Sequence, residues 1–140
     1  MDTNTNLKKK DEEEVALKVT QILRVQELID FFVLSEILEE PKYVKEITKS
    51  LRTTLGSGGI GVNMSYMSKR IDYMTSQGYI TRYWNNDHKR HEHYCRITEE
   101  GVTYLKMMLK DMPNKVEKAI SFYTSLNKYM GKFKHWDLSE

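Results

Sequence analysis

Residues 63–84 read "NMSYMSKRIDYMTSQGYITRYW", and the change of period inside this stretch decides the architecture. Up to Gln77 the apolar residues Met67, Ile71 and Met74 recur at spacings of three and four, the period of a helix with one buried face. Asn63 stands where an N-cap is needed, since its side-chain oxygen can accept an N–H of the first turn that has no partner within the helix. Gly78 supplies the stop, because glycine takes the left-handed conformation that closes a helix at no steric cost. Beyond it, "GYITRYW" is aromatic and β-branched, the composition of a strand. With Met67, Ile71 and Met74 facing inward, Ser65, Tyr66, Lys69, Asp72 and Tyr73 point outward.

Downstream, "NNDHKR" is turn-forming and basic, and "HEHYCRI" is a second strand, so the pair forms a β-hairpin. In an extended strand His91, His93, Cys95 and Ile97 share one face, while Glu92, Tyr94 and Arg96 share the other. Two histidines two residues apart, with a cysteine on the same side, have the donor chemistry of a zinc site. Against that, Ile97 on the same face enters the core, which makes Cys95 a small buried hydrophobe, and no second cysteine pair exists. The favoured reading assigns no metal and takes His88, Lys89, Arg90 and His91 as a basic hairpin tip that meets phosphate. Metal sensing through these histidines stands as a remote alternative.

Upstream, "YVKEITKSLRTTL" places Val44, Ile47, Leu51 and Leu55 on one helical stripe and Lys45, Lys49 and Arg52 on another side. Between this helix and the next lies "GSGGIGV", with four glycines in six residues. A glycine-rich loop before a helix can bind phosphate. Here no Gly-Lys-Ser/Thr follows and no apolar strand precedes, so the loop reads as a widened turn. Earlier still, "MDTNTNLKKK" has no apolar pattern and reads as a disordered tip. Asp11 and Glu14 resemble a capping box, and Val15, Val19, Ile22, Ile29, Val33 and Ile37 follow near one stripe, a long helical segment broken once. Its second half, "LIDFFVLSEIL", is apolar nearly all round and should be buried against more than one neighbour. Pro41 ends it.

After the hairpin, "ITEEGVTYLKMML" reads as a helix, and Pro113 is expected to begin another, "NKVEKAISFYTSLNKYM". Val116, Ala119, Ile120, Tyr123, Leu126 and Met130 form its apolar stripe. Neither this stripe nor that of Val15, Val19 and Ile22 is required for the core of a small domain. Two surplus apolar stripes predict an interface, with Val15, Val19, Ile22, Val116, Ile120, Tyr123 and Leu126 at the contact between two copies. Phe122, Tyr123, Met107 and Met108 are either plain core or the lining of a ligand pocket.

The chain has 140 residues, 39% hydrophobic and 30% charged, which describes one domain with a modest core. Net charge is +2, but its distribution is uneven. Residues 1–41 carry 5 Lys/Arg against 10 Asp/Glu, residues 42–96 carry 10 against 4, and residues 97–140 carry 7 against 6. A segment at +6 between flanks at −5 and +1 points to a basic surface built into the middle of the domain, suited to a polyanion. No paired carboxylates, nucleophile elbow or activated cysteine is legible, so no catalytic residue, enzyme activity or cofactor is expected. One cysteine, no signal-peptide pattern and no membrane-spanning run predict a cytoplasmic, nucleoid-associated protein with no membrane partner.

In order, helix, helix, loop, helix, basic hairpin and helix match a winged helix-turn-helix. "FFVLSEILEEPKYVKEI", "YMSKRIDYMTSQGYI" and "HYCRITEEGVTYL" resemble the corresponding segments of PadR-like regulators, and the last also resembles MarR-type regulators. The resemblance covers about residues 31–109 and implies a homodimeric transcription regulator, a repressor, whose recognition helix enters the major groove of double-stranded DNA. It also implies a small-molecule effector as a candidate partner. Asn63, Ser65, Tyr66, Lys69, Arg70 and Tyr73 would then lie on the recognition helix, His88, Lys89, Arg90 and His91 on the wing, and Lys45, Lys49 and Arg52 against the backbone. An architectural or plasmid-partition protein that spreads on DNA is the alternative with the same chemistry. The expected fold is mainly α with a small β-hairpin (α+β), a winged helix-turn-helix with extra N- and C-terminal dimerisation helices. Residues 1–10 are the tip, 11–111 the winged domain with its N-terminal helix, and 112–140 the C-terminal dimerisation helix and tail.

Overall fold

The computed structural model describes residues 23–55, 64–84 and 93–139. Helix α1 spans Val25–Glu36, strand β1 Lys42–Tyr43, helix α2 Val44–Leu55, helix α3 Met64–Ser76, strand β2 Ile80–Trp84, strand β3 His93–Ile97 and helix α4 Glu99–Met130, followed by a single 3-10 turn at Gly131–Phe133. The chain divides into two compact units, one of residues 25–110 and another that includes residues 111–140.

In the first unit α1 packs against α2 and α3, as its nearly continuous apolar surface requires. Ile29, Val33, Leu34 and Ile37 of this segment are buried together with Ile47 and Leu51 of α2 and Met67, Ile71 and Met74 of α3. Ile80, Cys95 and Leu105 complete that core. Met67 and Met74 of α3 face inward as the spacing predicted.

The hairpin is part of a three-stranded antiparallel sheet in the order β1-β3-β2. The two residues of β1 were not legible as a strand, being too few to show a period; Lys42 pairs with Cys95 and Tyr43 with Tyr94. On the other side Tyr83 pairs with Tyr94 and Trp84 with His93. The register stacks Tyr43, Tyr94 and Tyr83 in a row across all three strands, with centroids 3.8 Å and 5.6 Å apart. Cross-strand aromatic pairs of this kind stabilise a sheet, here one pair before Trp84 and His93, the described end of the hairpin nearest its turn.

The junctions explain two glycines. Gly78 has φ +83°, and the bonds Tyr79 N–H to Met74 O (2.9 Å) and Gly78 N–H to Thr75 O (3.1 Å) close α3 with a Schellman motif. In "ITEEGV", Thr98 caps α4: its hydroxyl accepts the Gly101 N–H at 3.0 Å and donates to Gly78 O at 2.6 Å. Gly101 is buried at the closest approach of α4 to the chain that leaves α3.

Pro113 does not begin a new helix. It lies inside α4, which is continuous from Glu99 to Met130. An interior proline forfeits one backbone hydrogen bond and crowds the preceding turn, at a cost of about 3 kcal/mol. Leu105, Met108, Met112 and Val116 keep helical phase across the proline, and Pro113 itself is exposed, so water can reach the carbonyl left without a donor. No helix among the described residues is long and apolar enough to cross a membrane.

Candidate nucleic-acid interface

Two exposed rows on neighbouring helices make up the described part of the site. On α2, Lys45, Lys49 and Arg52 follow at i, i+4 and i+7 and are all exposed, because Ile47 and Leu51 take the buried face. On α3, Ser65 and Lys69 are exposed, Tyr66 is half-buried and Tyr73 is 47% exposed. One short hydroxyl, Ser65, and Lys69 thus lie outermost, with Tyr66 and Tyr73 along one edge. Hydroxyls, amines and phenols of this size can reach base edges and phosphate oxygens.

Arg70 departs from the expectation for a residue of this row. Its Nε donates to Asp30 Oδ1 at 2.9 Å and its Nη2 to Asp30 Oδ2 at 2.6 Å, a bidentate pair between α3 and α1. Asp30 is 1% exposed. This carboxylate raises the Arg70 pKa, through the hydrogen bond first, so the cation is permanent. Tyr104 of α4 reaches the same carboxylate with its hydroxyl at 3.4 Å and stacks on Tyr79 at 4.5 Å. Burial first, then the Asp30 charge, pushes the Tyr104 phenol up to about 12. Asp72, an exposed residue of α3, pairs with Arg82 of β2 and ties the helix to the hairpin.

Asp30, Tyr104 and Arg82 were not singled out from the sequence. For Asp30 a signal was present: one acid inside the apolar run "LIDFFVL" must find a cation when that run is buried.

Around the hairpin, Cys95 is fully buried and its thiol is pushed up to about 11 by burial, so it is an inert core residue. The His93 ring lies against Trp84 with centroids 3.8 Å apart and the planes tilted by 42°. Among the described residues no group of three or more His, Cys, Asp or Glu is placed to hold a metal. Asn63, His88, Lys89, Arg90 and His91 lie outside the described residues, as do Val15, Val19 and Ile22.

In the second unit, Val116, Ile120, Tyr123 and Leu126 are all exposed, Ile120 to 61% and Tyr123 to 54%. Met130 extends the same stripe. Of the residues considered for a ligand pocket, Met108 is buried in the first unit, whereas Met107, Phe122 and Tyr123 are exposed.

No family model matches the chain, and no curated protein sequence matches it. Solved structures do. The chain is similar to a PadR family transcription regulator from hypervirulent Clostridium difficile R20291, with 20% identity and a TM-score of 0.52 over 75% of this chain and 96% of the other. It is similar to a transcriptional regulator from Clostridium thermocellum, Cth-833, with 23% identity and a TM-score of 0.53 over 76% and 89%. The transcriptional regulator BldR from Sulfolobus solfataricus matches 94% of this chain and 96% of its own, with 18% identity and a TM-score of 0.56. Strand order, the three helices before the hairpin and these likenesses agree: the chain has the winged helix-turn-helix fold.

Proposed function

We propose that the protein is a double-stranded DNA-binding transcription regulator that works as a homodimer. The observation that carries this is the exposed cationic row Lys45, Lys49 and Arg52 on α2 beside the exposed face of α3, on a winged-helix scaffold. In that fold the third helix enters the major groove and the helix before it crosses the backbone. The solved structures it resembles are of transcription regulators, which supports the same reading. Helix α3 would offer Ser65, Tyr66, Lys69 and Tyr73 to the groove, with Asn63 at its start. Lys45, Lys49 and Arg52 would hold the backbone, and His88, Lys89, Arg90 and His91 of the hairpin would meet phosphate further along. Arg70 is left out of the contact set because its guanidinium is already held by Asp30.

The dimer is inferred from the stripe of Val116, Ile120, Tyr123, Leu126 and Met130. Exposed apolar side chains in a continuous row mark a contact surface. A second copy related by a twofold axis covers the same stripe on both chains and sets two recognition helices about 34 Å apart, one turn of duplex. Such a dimer binds a palindromic site and blocks transcription where that site overlaps a promoter.

Footprinting across the gene's own upstream region tests the proposal. A regulator protects a bounded, palindromic segment whose edges stay fixed as protein is added. Protection that grows outward with concentration would instead identify a protein that coats DNA, and no protection at any sequence would overturn DNA binding altogether.

A further inference from the structure

An arginine on the helix presented to DNA is ordinarily assigned to phosphate or to guanine. Arg70 is engaged elsewhere: two of its guanidinium nitrogens are bound to Asp30, and the same group lies over the Tyr73 ring with its carbon 4.5 Å from the centroid. Asp30 is buried and Tyr73 is half in solvent, so the guanidinium bridges from the interior of α1 to the outer edge of α3. Tyr66, Arg70 and Tyr73 fall at i, i+4 and i+7 and share that edge, between the buried row of Met67, Ile71 and Met74 and the exposed row of Ser65, Lys69 and Asp72.

The composition of the buried row explains why such a bridge is needed. Two of its three residues are methionines, whose unbranched side chains adapt to several packings and specify the roll of a helix poorly. A bidentate arginine-carboxylate pair has fixed geometry and tolerates little rotation. Tyr104 adds a third element, since its hydroxyl reaches the same Asp30 oxygen that receives Nη2.

We propose that Arg70 is a positioning residue: held by Asp30, it fixes the roll of α3 and orients the Tyr73 ring as a specificity-determining contact of the recognition helix. This rests on the DNA-binding reading above, from which it differs in assigning Arg70 no contact with DNA. Removing Arg70 should therefore relax sequence choice while leaving the number of phosphate contacts unchanged.

Two measurements on the full chain test this. The variants are Arg70→Met, Arg70→Lys, Tyr73→Ala and the double replacement Asp30→Leu with Arg70→Met, which leaves no unpaired buried charge. In the free protein, the Tyr73 ring resonances are read by aromatic NMR. They should move in Arg70→Met and in the double variant, and Arg70→Lys should not restore them, since lysine supplies charge without the planar fork. Selection from a randomised duplex pool, followed by titration of the selected and unselected duplexes against salt, gives preference and slope separately. The double variant should keep the parental slope and lose preference by about tenfold or more, the range for one good base contact. Tyr73→Ala should lose the same preference, and combining it with the double variant should add little. A slope flattened by about 0.9 per site with equal loss on every duplex would make Arg70 a phosphate contact and overturn the proposal. Unmoved Tyr73 resonances would overturn the positioning role whether or not DNA is bound. A parent chain that binds no duplex would overturn the specificity role together with the proposed function, and the resonances would still decide the positioning.

Discussion

Gly101 lies so close to Tyr79 that a Cβ at position 101 would stand 2.2 Å from the Tyr79 carbonyl oxygen, with Ile97 Cγ1 at 2.8 Å on its other side. That carbonyl also accepts the Thr98 N–H at 3.1 Å. The first turn of α4 is thus seated directly on the chain that leaves α3, and only hydrogen fits between them. Gly101→Ala must shift backbone rather than a flexible side-chain end, and should cost about 1–3 kcal/mol. Gly131 serves as control, because the nearest atom to a Cβ there is 3.9 Å away. Thermal denaturation of Gly131→Ala should match the parent, while Gly101→Ala should melt well below it; equal melting of the two would show that the approach is looser than described.

The Asp30–Arg70 pair should be costly to halve and cheap to replace. Asp30 and Arg70 side chains are 2% and 15% exposed. Taking away one partner leaves the other charge stranded in the interior, about 3 kcal/mol or more. Asp30→Ala should therefore destabilise strongly, whereas Asp30→Leu with Arg70→Met should cost less than the single Asp30→Ala change. Urea denaturation of the set checks this, and strictly additive losses would mean that the two residues act independently.

Alkaline pH should loosen the fold through two acids, the buried Cys95 and the half-buried Tyr104. Burial holds Cys95 and Tyr104 in their protonated forms, with pKa values raised from 9.0 to about 11 and from 10.0 to about 12. The unfolded chain releases these protons first, so the stability they contribute is fully present below about pH 9 and is lost as pH rises from there towards 12. Cys95 accounts for up to about 3 kcal/mol of that loss. Melting temperature should fall more steeply above pH 9 in the parent than in a Cys95→Val, Tyr104→Phe variant; parallel curves would place the titration elsewhere.

The helices and their buried faces were legible because period survives in a single sequence. Met67, Ile71 and Met74 could be assigned to the core from spacing alone, and the strand after Gly78 from composition. Strand β1 was not legible, since two residues cannot display a period and their pairing with Tyr94 and Cys95 depends on a partner far away in the sequence. Pro113 misled for the opposite reason: a local rule that proline opens a helix was applied where the helix is continuous, its buried row of Leu105, Met108 and Met112 ending just before the proline. Arg70 could be placed on α3 but not inward. That orientation depends on Asp30, which no local pattern connects to it.

The stripe on the second half of α4 should decide the oligomeric state. Ile120→Glu with Tyr123→Glu sets two charges where an apolar partner is inferred and should convert a dimer into a monomer with much weaker DNA binding. Sedimentation at micromolar concentration reads the outcome, and a parent chain that is itself monomeric there would contradict the dimer.

The most direct test of DNA binding through the basic face is the slope of log affinity for duplex DNA against log salt, measured for the parent and for Lys45→Ala, Lys49→Ala, Arg52→Ala. Each phosphate contact contributes about 0.9 to that slope, so removing three cations from each of two protomers should flatten it by several units, to about five if all six meet phosphate. A steep parental slope that flattens in the triple variant is the expected result. The same slope in both proteins, or no binding to duplex at low salt, would contradict it.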